Sequence, residues 1–143
     1  MSVRVADRNL SRIEYIYNAQ QIVNIVEERI TKYINKIAND KRYKNFTKSA
    51  QYSIWNAPIY HAKQVYHFCQ LANMKRNANI RLDYLNKASD NLELLESATQ
   101  DFYDKFRPII KDKFIILLAE KVEYQKKLLK GCKQYSKNIS CMS

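Results

Sequence analysis

The sequence predicts an all-α protein, an antiparallel up-down four-helix bundle, and three observations carry that prediction. Glycine occurs once and proline twice in 143 residues, too few for a fold built on tight turns or short strand connections. Long stretches repeat apolar residues at steps of three and four, the period of a helix with one buried face. The links between those stretches are short and polar, and short links force consecutive helices to run antiparallel. A stack of two helical hairpins is the other arrangement these features allow.

Residues 1–9 read as a basic amino-terminal arm carrying Arg4 and Arg8. The first helix is predicted over residues 10–38, where Ile13, Ile16, Val23, Val26, Ile30, Tyr33 or Ile34, and Ile37 keep the helical period. Ile22, Ile25 and Tyr33 add apolar bulk beyond one seam, an expected surface for a neighbouring copy. Residues 39–45 (NDKRYKN) hold no aliphatic side chain and form the first link. The second helix is expected over 47–72 with Thr47 as its N-cap, and Pro58 predicts a kink or short break near Asn56 and Ala57.

The second link is 73–79 (NMKRNAN), polar and basic. The third helix, over 80–106, has the cleanest pattern: Leu85, Ala88, Leu92, Leu95, Thr99, Phe102 and Phe106 alternate steps of three and four, the seam of bundle packing. Arg107 and Pro108 end it, and Pro108 suits the first turn of a fourth helix. That helix continues through Ile115, Leu118, Val122, Leu129 and Cys132, with Gly131 expected to end or fray it and residues 133–143 expected to form a flexible tail. The whole chain, 1–143, is the length of one domain.

Charge is the other departure from an ordinary composition. Twenty-five basic residues stand against 14 acidic, a net +11. Residues 1–76 carry 13 basic and 5 acidic groups (+8), residues 77–106 carry 3 and 6 (−3), and residues 107–143 carry 9 and 3 (+6). Helix three is therefore an acidic stripe between basic elements. Such an excess of positive charge suits a polyanion, with nucleic acid or an anionic membrane surface the usual candidates. No carboxylate occurs between Lys41 and Leu82, while aromatic residues interleave with the bases there. Ammonium and guanidinium groups meet phosphates and rings stack on unpaired bases, which suits single-stranded or structured RNA. Trp55, Tyr66 and Phe68 are expected in the core, and Tyr43, in a polar link, is the ring expected to be exposed.

An antiparallel bundle puts links one and three at one end and link two at the other. Arg4, Arg8 and Arg12 then share an end with Lys75, Arg76 and Arg81, and Lys41, Arg42, Tyr43, Lys44 and Lys48 share the opposite end with Lys105, Arg107, Lys111 and Lys113. These two clusters are the candidate nucleic-acid contacts.

Signs of catalysis are lacking, and the expectation is a protein that is not an enzyme and uses no cofactor or metal. A single glycine excludes a phosphate-cradling loop or a dinucleotide fingerprint, which need several positions that only glycine allows. His61 and His67 are six residues apart, about 240° past one helical turn, so one helix cannot aim both at one metal. Helix three has carboxylates but no Glu-x-x-His partner for a di-iron site. Cys69, Cys132 and Cys141 form no close ligand pair and suit a reducing compartment. With no secretory segment and no apolar run longer than FIILLA (114–119), the expected location is the cytoplasm, without a membrane partner.

The amino terminus reads MSVRVADRNLSRIEYI, with Ser11, Glu14 and Tyr15; KRY follows at 41–43, Ala72–Asn73 closes helix two, and RLDYLNKA spans 81–88. In order and spacing these motifs resemble the accessory variability determinant family, four-helix-bundle proteins found beside reverse transcriptases in diversity-generating retroelements. The resemblance covers roughly residues 1–130 and departs around Pro58 and in the carboxy-terminal tail. It implies a basic homopentameric barrel that binds a reverse transcriptase and its template RNA, with the complementary DNA as a further nucleic acid, and supports mutagenic cDNA synthesis. The competing expectation is a structural or assembly protein whose charge matches an acidic protein partner, helix three meeting the basic face of a neighbour. A regulator of duplex DNA is the third reading, and no helix-turn-helix pattern favours it.

Overall fold

In a computed structural model the chain forms α1 (Ser2–Ala38), a single 3₁₀ turn (Lys41–Tyr43), α2 (Lys48–Met74), α3 (Ala78–Lys105) and α4 (Phe114–Met142). The structure describes residues 2–44, 48–111 and 113–142, with side chains over 14–44, 53–111 and 113–138. No strand occurs among the described residues. Each helix packs on two neighbours, α1 on α2, α2 on α3, α3 on α4 and α4 on α1, with the α2–α3 face the most extensive. Side-chain contacts fix the directions. Tyr15 meets Cys69 and Tyr33 meets Phe114, while Phe68 stacks on Tyr84. High numbers on one helix thus oppose low numbers on the next, as in an up-down bundle.

The predicted seam of α3 is buried from Leu85 through Phe106. On α1 the inward residues are Tyr15, Ala19, Ile22, Val26, Ile30, Tyr33 and Ile37. Ile22 and Tyr33, expected as surplus apolar bulk for a neighbour, belong to this core, and only Ile25 is half-buried at its edge. A bundle helix with two packing partners buries a wider stripe than one seam, and those residues fill it.

Element boundaries differ from expectation in four places. Helix α1 begins at Ser2, so its backbone is helical through the stretch read as an arm, and α4 continues through Gly131 to Met142 across the stretch read as a tail. Helix α2 passes through Pro58 without a break. Proline removes one hydrogen bond and crowds the carbonyl one turn earlier, but Ile54, Trp55 and Ile59 hold both flanks against the core. Thr47 lies outside the described residues. Helix four starts at Phe114 rather than Pro108. The carbonyl of Phe106 accepts from the amides of both Ile109 and Ile110, and Ile110 is buried across the end of the bundle. Burying that side chain holds the segment as a turn, and the helix begins only after it.

One polar cluster interrupts the apolar interior. Gln125 occupies an inward position of α4 and is fully buried, at 0% exposure. Its Nε2 donates to the Tyr15 carbonyl at 2.8 Å and to Cys69 Sγ at 3.6 Å, while its Oε1 accepts from Asn18 Nδ2 at 2.9 Å. Asn18 Nδ2 also donates to the Lys121 carbonyl at 3.0 Å, and the Tyr15 hydroxyl donates to the Cys69 carbonyl at 3.2 Å. Three helices are tied together by groups that have no water to fall back on. Burial also pushes the Cys69 thiol up to about 12, which keeps it protonated and unreactive. Gln125→Ala should destabilise the protein by about 2–4 kcal/mol, combining a cavity with lost buried hydrogen bonds. Urea unfolding of the two proteins measures the difference, and a loss under about 0.5 kcal/mol would mean that the cluster contributes little.

Candidate nucleic-acid interface

At the end of the bundle that carries link two, α2 stops at Met74 and α3 starts at Ala78. Asn77 caps α3, its side-chain oxygen accepting from the amides of Asn79 and Ile80 at 2.9 and 3.1 Å. Arg81 reaches back one turn. Its Nε donates to the Lys75 carbonyl at 3.2 Å and its Nη2 to the Arg76 carbonyl at 3.1 Å, tying link two to the first turn of α3. The third nitrogen, Nη1, is buried without a partner. Lys75, Arg76 and Arg81 line a cavity of about 620 Å³ together with Lys127 from α4, and no carboxylate joins the lining among the described residues. The sequence reading placed the first three together correctly. It missed Lys127, because nothing in α4's pattern shows which of its many lysines turns toward link two. The side chains of Arg4, Arg8 and Arg12 lie outside the described residues.

The opposite end is organised differently. Arg42 forms a two-point ion pair with Asp40, Nε to Oδ1 at 3.0 Å and Nη2 to Oδ2 at 2.8 Å, and Asp40 also accepts from the Arg42 amide at 2.8 Å. These bonds hold the Asp40 carboxyl at about 2, well below the usual carboxylate range. Arg42 is thereby engaged at close range by its own link. Lys41 and Lys44 are exposed, and Lys48 lies outside the side chains described. A second, shallower depression of about 540 Å³ brings Arg42 and Asp40 together with Lys32, Lys36 and Lys111. The ammonium groups of Lys32 and Lys36 each stand 5.6 Å from the Tyr33 ring centroid. The sequence reading omitted Lys32 and Lys36, although their four-residue spacing on the last turns of α1 puts them on one face beside link one.

Tyr43 reverses its expectation. Its ring is 7% exposed, packed edge-on against Phe106 at 5.0 Å, and its hydroxyl donates to the Lys105 carbonyl at 3.2 Å. The link's polar neighbours suggested an exposed ring, but the 3₁₀ turn aims this one position inward, where it covers the end of the α3 seam. Trp55, Tyr66 and Phe68 are partly buried against the core, as expected.

The two basic ends are separated by nearly the length of α3. From Arg81 to Lys105 a helix rises about 36 Å. Between them half of the acidic stripe, Asp83, Glu96 and Asp104, is paired with cations of the same chain. Lys126 meets Glu96 at 2.6 Å and Glu123 at 3.1 Å, Lys87 meets Asp83 at 3.8 Å, and Arg107 meets Asp104 at 3.2 Å. Hydrogen bonds to Glu96, then to Glu123, raise the Lys126 pKa. His61 faces Asn91 across the α2–α3 seam at 3.2 Å while His67 is exposed. Among the described residues, no group of three or more His, Cys, Asp or Glu side chains is placed to hold a metal ion, and no helix is long and apolar enough to cross a membrane.

Comparison of the chain with models of protein families, with curated proteins and with solved structures found no match.

Two outcomes follow from this geometry. Tyr43→Ala should cost about 3 kcal/mol of folding stability, as truncation of a packed aromatic ring does; thermal unfolding at matched concentration checks it, and an unchanged midpoint would contradict the inward ring. Asp40 is ionised in the folded state down to about pH 2. A carboxyl lowered by folding contributes stability in full above its unfolded value near 4, and loses it as pH falls through the folded value. An NMR titration of the Asp40 carboxyl carbon should therefore give a midpoint near 2, whereas a midpoint near 4 would show that the pair with Arg42 does not persist in solution.

Proposed function

We propose that the protein is a non-catalytic, cytoplasmic nucleic-acid-binding accessory protein that holds template RNA for a reverse transcriptase, as accessory proteins of diversity-generating retroelements do. One observation carries the nucleic-acid part: Lys75, Arg76, Arg81 and Lys127 converge on a concave surface that has no carboxylate among its described residues. Fixed cations in a concavity raise the local potential and attract a polyanion over distance. The reverse transcriptase as partner, the homopentameric assembly and the support of mutagenic cDNA synthesis rest on the family resemblance. Exposed Tyr17 on α1 and Leu117 and Tyr124 on α4 provide apolar surface compatible with self-association. The rival reading, a scaffold that docks its acidic helix on a basic neighbour, is weakened because Glu96, Asp83 and Asp104 already have cationic partners in the same chain.

The end bearing link two is the stronger contact. At the other end Asp40 offsets Arg42, while here no acidic group joins the lining among the described residues. A protein that neutralises about six phosphates should lose RNA affinity with a log–log salt slope of roughly −4 to −5. Replacing Lys75, Arg76 and Lys127 with Gln should weaken binding and flatten that slope by about 2, since single strands contribute about 0.7 per phosphate contact. Arg81 stays in place because it holds the backbone of link two. Replacing Lys41 and Lys44 instead should have the smaller effect. Salt titrations of affinity for a single-stranded RNA decide the matter: no binding at low salt would sink the proposal, and a larger effect from the Lys41 and Lys44 variant would move the contact to the opposite end.

A further inference from the structure

The cavity beside link two has features that charge alone does not require. Its volume of about 620 Å³ falls within the range of pockets that bury a small organic molecule. Four cations stand in its lining, and the Nη1 of Arg81 is enclosed behind them with no hydrogen-bond partner among the described residues. The remaining lining mixes apolar groups, Met74, the fully buried Leu85 and the half-buried Leu128, with the polar Asn73 and Ser136.

Gly131 stands in the same lining. It is the only glycine in the chain, and it lies inside α4, where glycine is less favourable than any ordinary residue except proline. No backbone demand explains it, because its φ is not positive. A Cβ at this position would meet nothing within 4 Å. The missing side chain leaves free space beside the cations and the two leucines.

From these placements we infer that the cavity receives one unstacked nucleotide of a bound single-stranded RNA. The base passes Gly131 to lie against Leu128, and the adjoining phosphates lie against Lys75, Arg76, Arg81 and Lys127. The inference rests on the nucleic-acid reading above and narrows it from a charged surface to a pocket. A surface acting through charge alone would need neither the apolar wall nor the gap at Gly131.

Gly131→Phe tests the pocket without touching a charge. The substitution replaces a helix-interior glycine with a better helix former and grows a ring into space that is open. Binding is measured at fixed salt for the full chain with two probes, a single-stranded uridine octamer and an inorganic polyphosphate of matched charge. Gly131→Phe should bind the octamer about tenfold more weakly, the scale of one lost base contact, and bind polyphosphate as the wild type does. Equal octamer binding by both proteins overturns the pocket and leaves the electrostatic reading standing. Equal weakening toward both probes also overturns it, since the ring would then be acting on the charged wall. A wild type that binds no octamer at low salt overturns the pocket and the proposed function together. Far-UV circular dichroism confirms the fold of the variant, and if Gly131→Phe loses helix, Gly131→Leu provides the deciding comparison on the same two probes.

Discussion

Gln125 is the point to which the arrangement of this bundle returns. Its amide is wholly enclosed and all its bonds cross between helices, to the Tyr15 backbone, to Asn18 and to the Cys69 sulfur. An apolar seam alone tolerates sliding, because one leucine can replace another one turn away at modest cost. A buried amide does not. Displaced by a turn, it would face hydrocarbon with its donors and acceptor unmet, at about 1–3 kcal/mol for each such group. The cluster therefore favours one register of α1, α2 and α4 over its neighbours, and that register decides what stands beside link two. Lys127, Leu128, Gly131 and Cys132 reach the cavity because Gln125 fixes the phase of α4 half a turn to two turns earlier.

The distribution of charge follows from the same register. Lys126 of α4 is engaged by Glu96 of α3. Exposed pairs of this kind add little to stability, but they cancel the long-range field along the side of the bundle. The bases of the links, Lys41, Arg42, Lys44, Lys75, Arg76, Arg107, Lys111 and Lys113, gather at the ends of the bundle. The two ends are not equivalent. One closes on itself through Asp40 and Arg42, and the other presents its cations in a concavity. A net charge of +11 thus becomes a directional feature only after folding.

Both ends also show how structural and binding demands compete for the same residues. Arg81 spends two of its three nitrogens on the Lys75 and Arg76 carbonyls of link two, so its guanidinium is held in place by the fold before any ligand arrives. Such fixed geometry lowers the ordering cost of a later contact. Tyr43 is committed further, its ring packed on Phe106 and its hydroxyl bonded to the Lys105 carbonyl, and this leaves no face for a base.

The sequence by itself determined the number of helices, their antiparallel order and nearly all of the α3 seam, because periodicity along one chain records which face of each helix is buried. It also determined that Lys75, Arg76 and Arg81 share one end, since residues so close in a short link cannot separate. Tertiary structure alone decided the rest. Whether Tyr43 points inward depends on the turn made by Asp40 and on the room beside Phe106, and neither is a local property of the link. Pro58 is tolerated because flanking side chains hold α2 together, and Ile110 delays α4 because the bundle end offers it a buried place. Lys127 and Gly131 were illegible for a related reason: a residue's distance along a helix is fixed by sequence, but the rotation that brings it to another helix is set by packing, here by the buried Gln125.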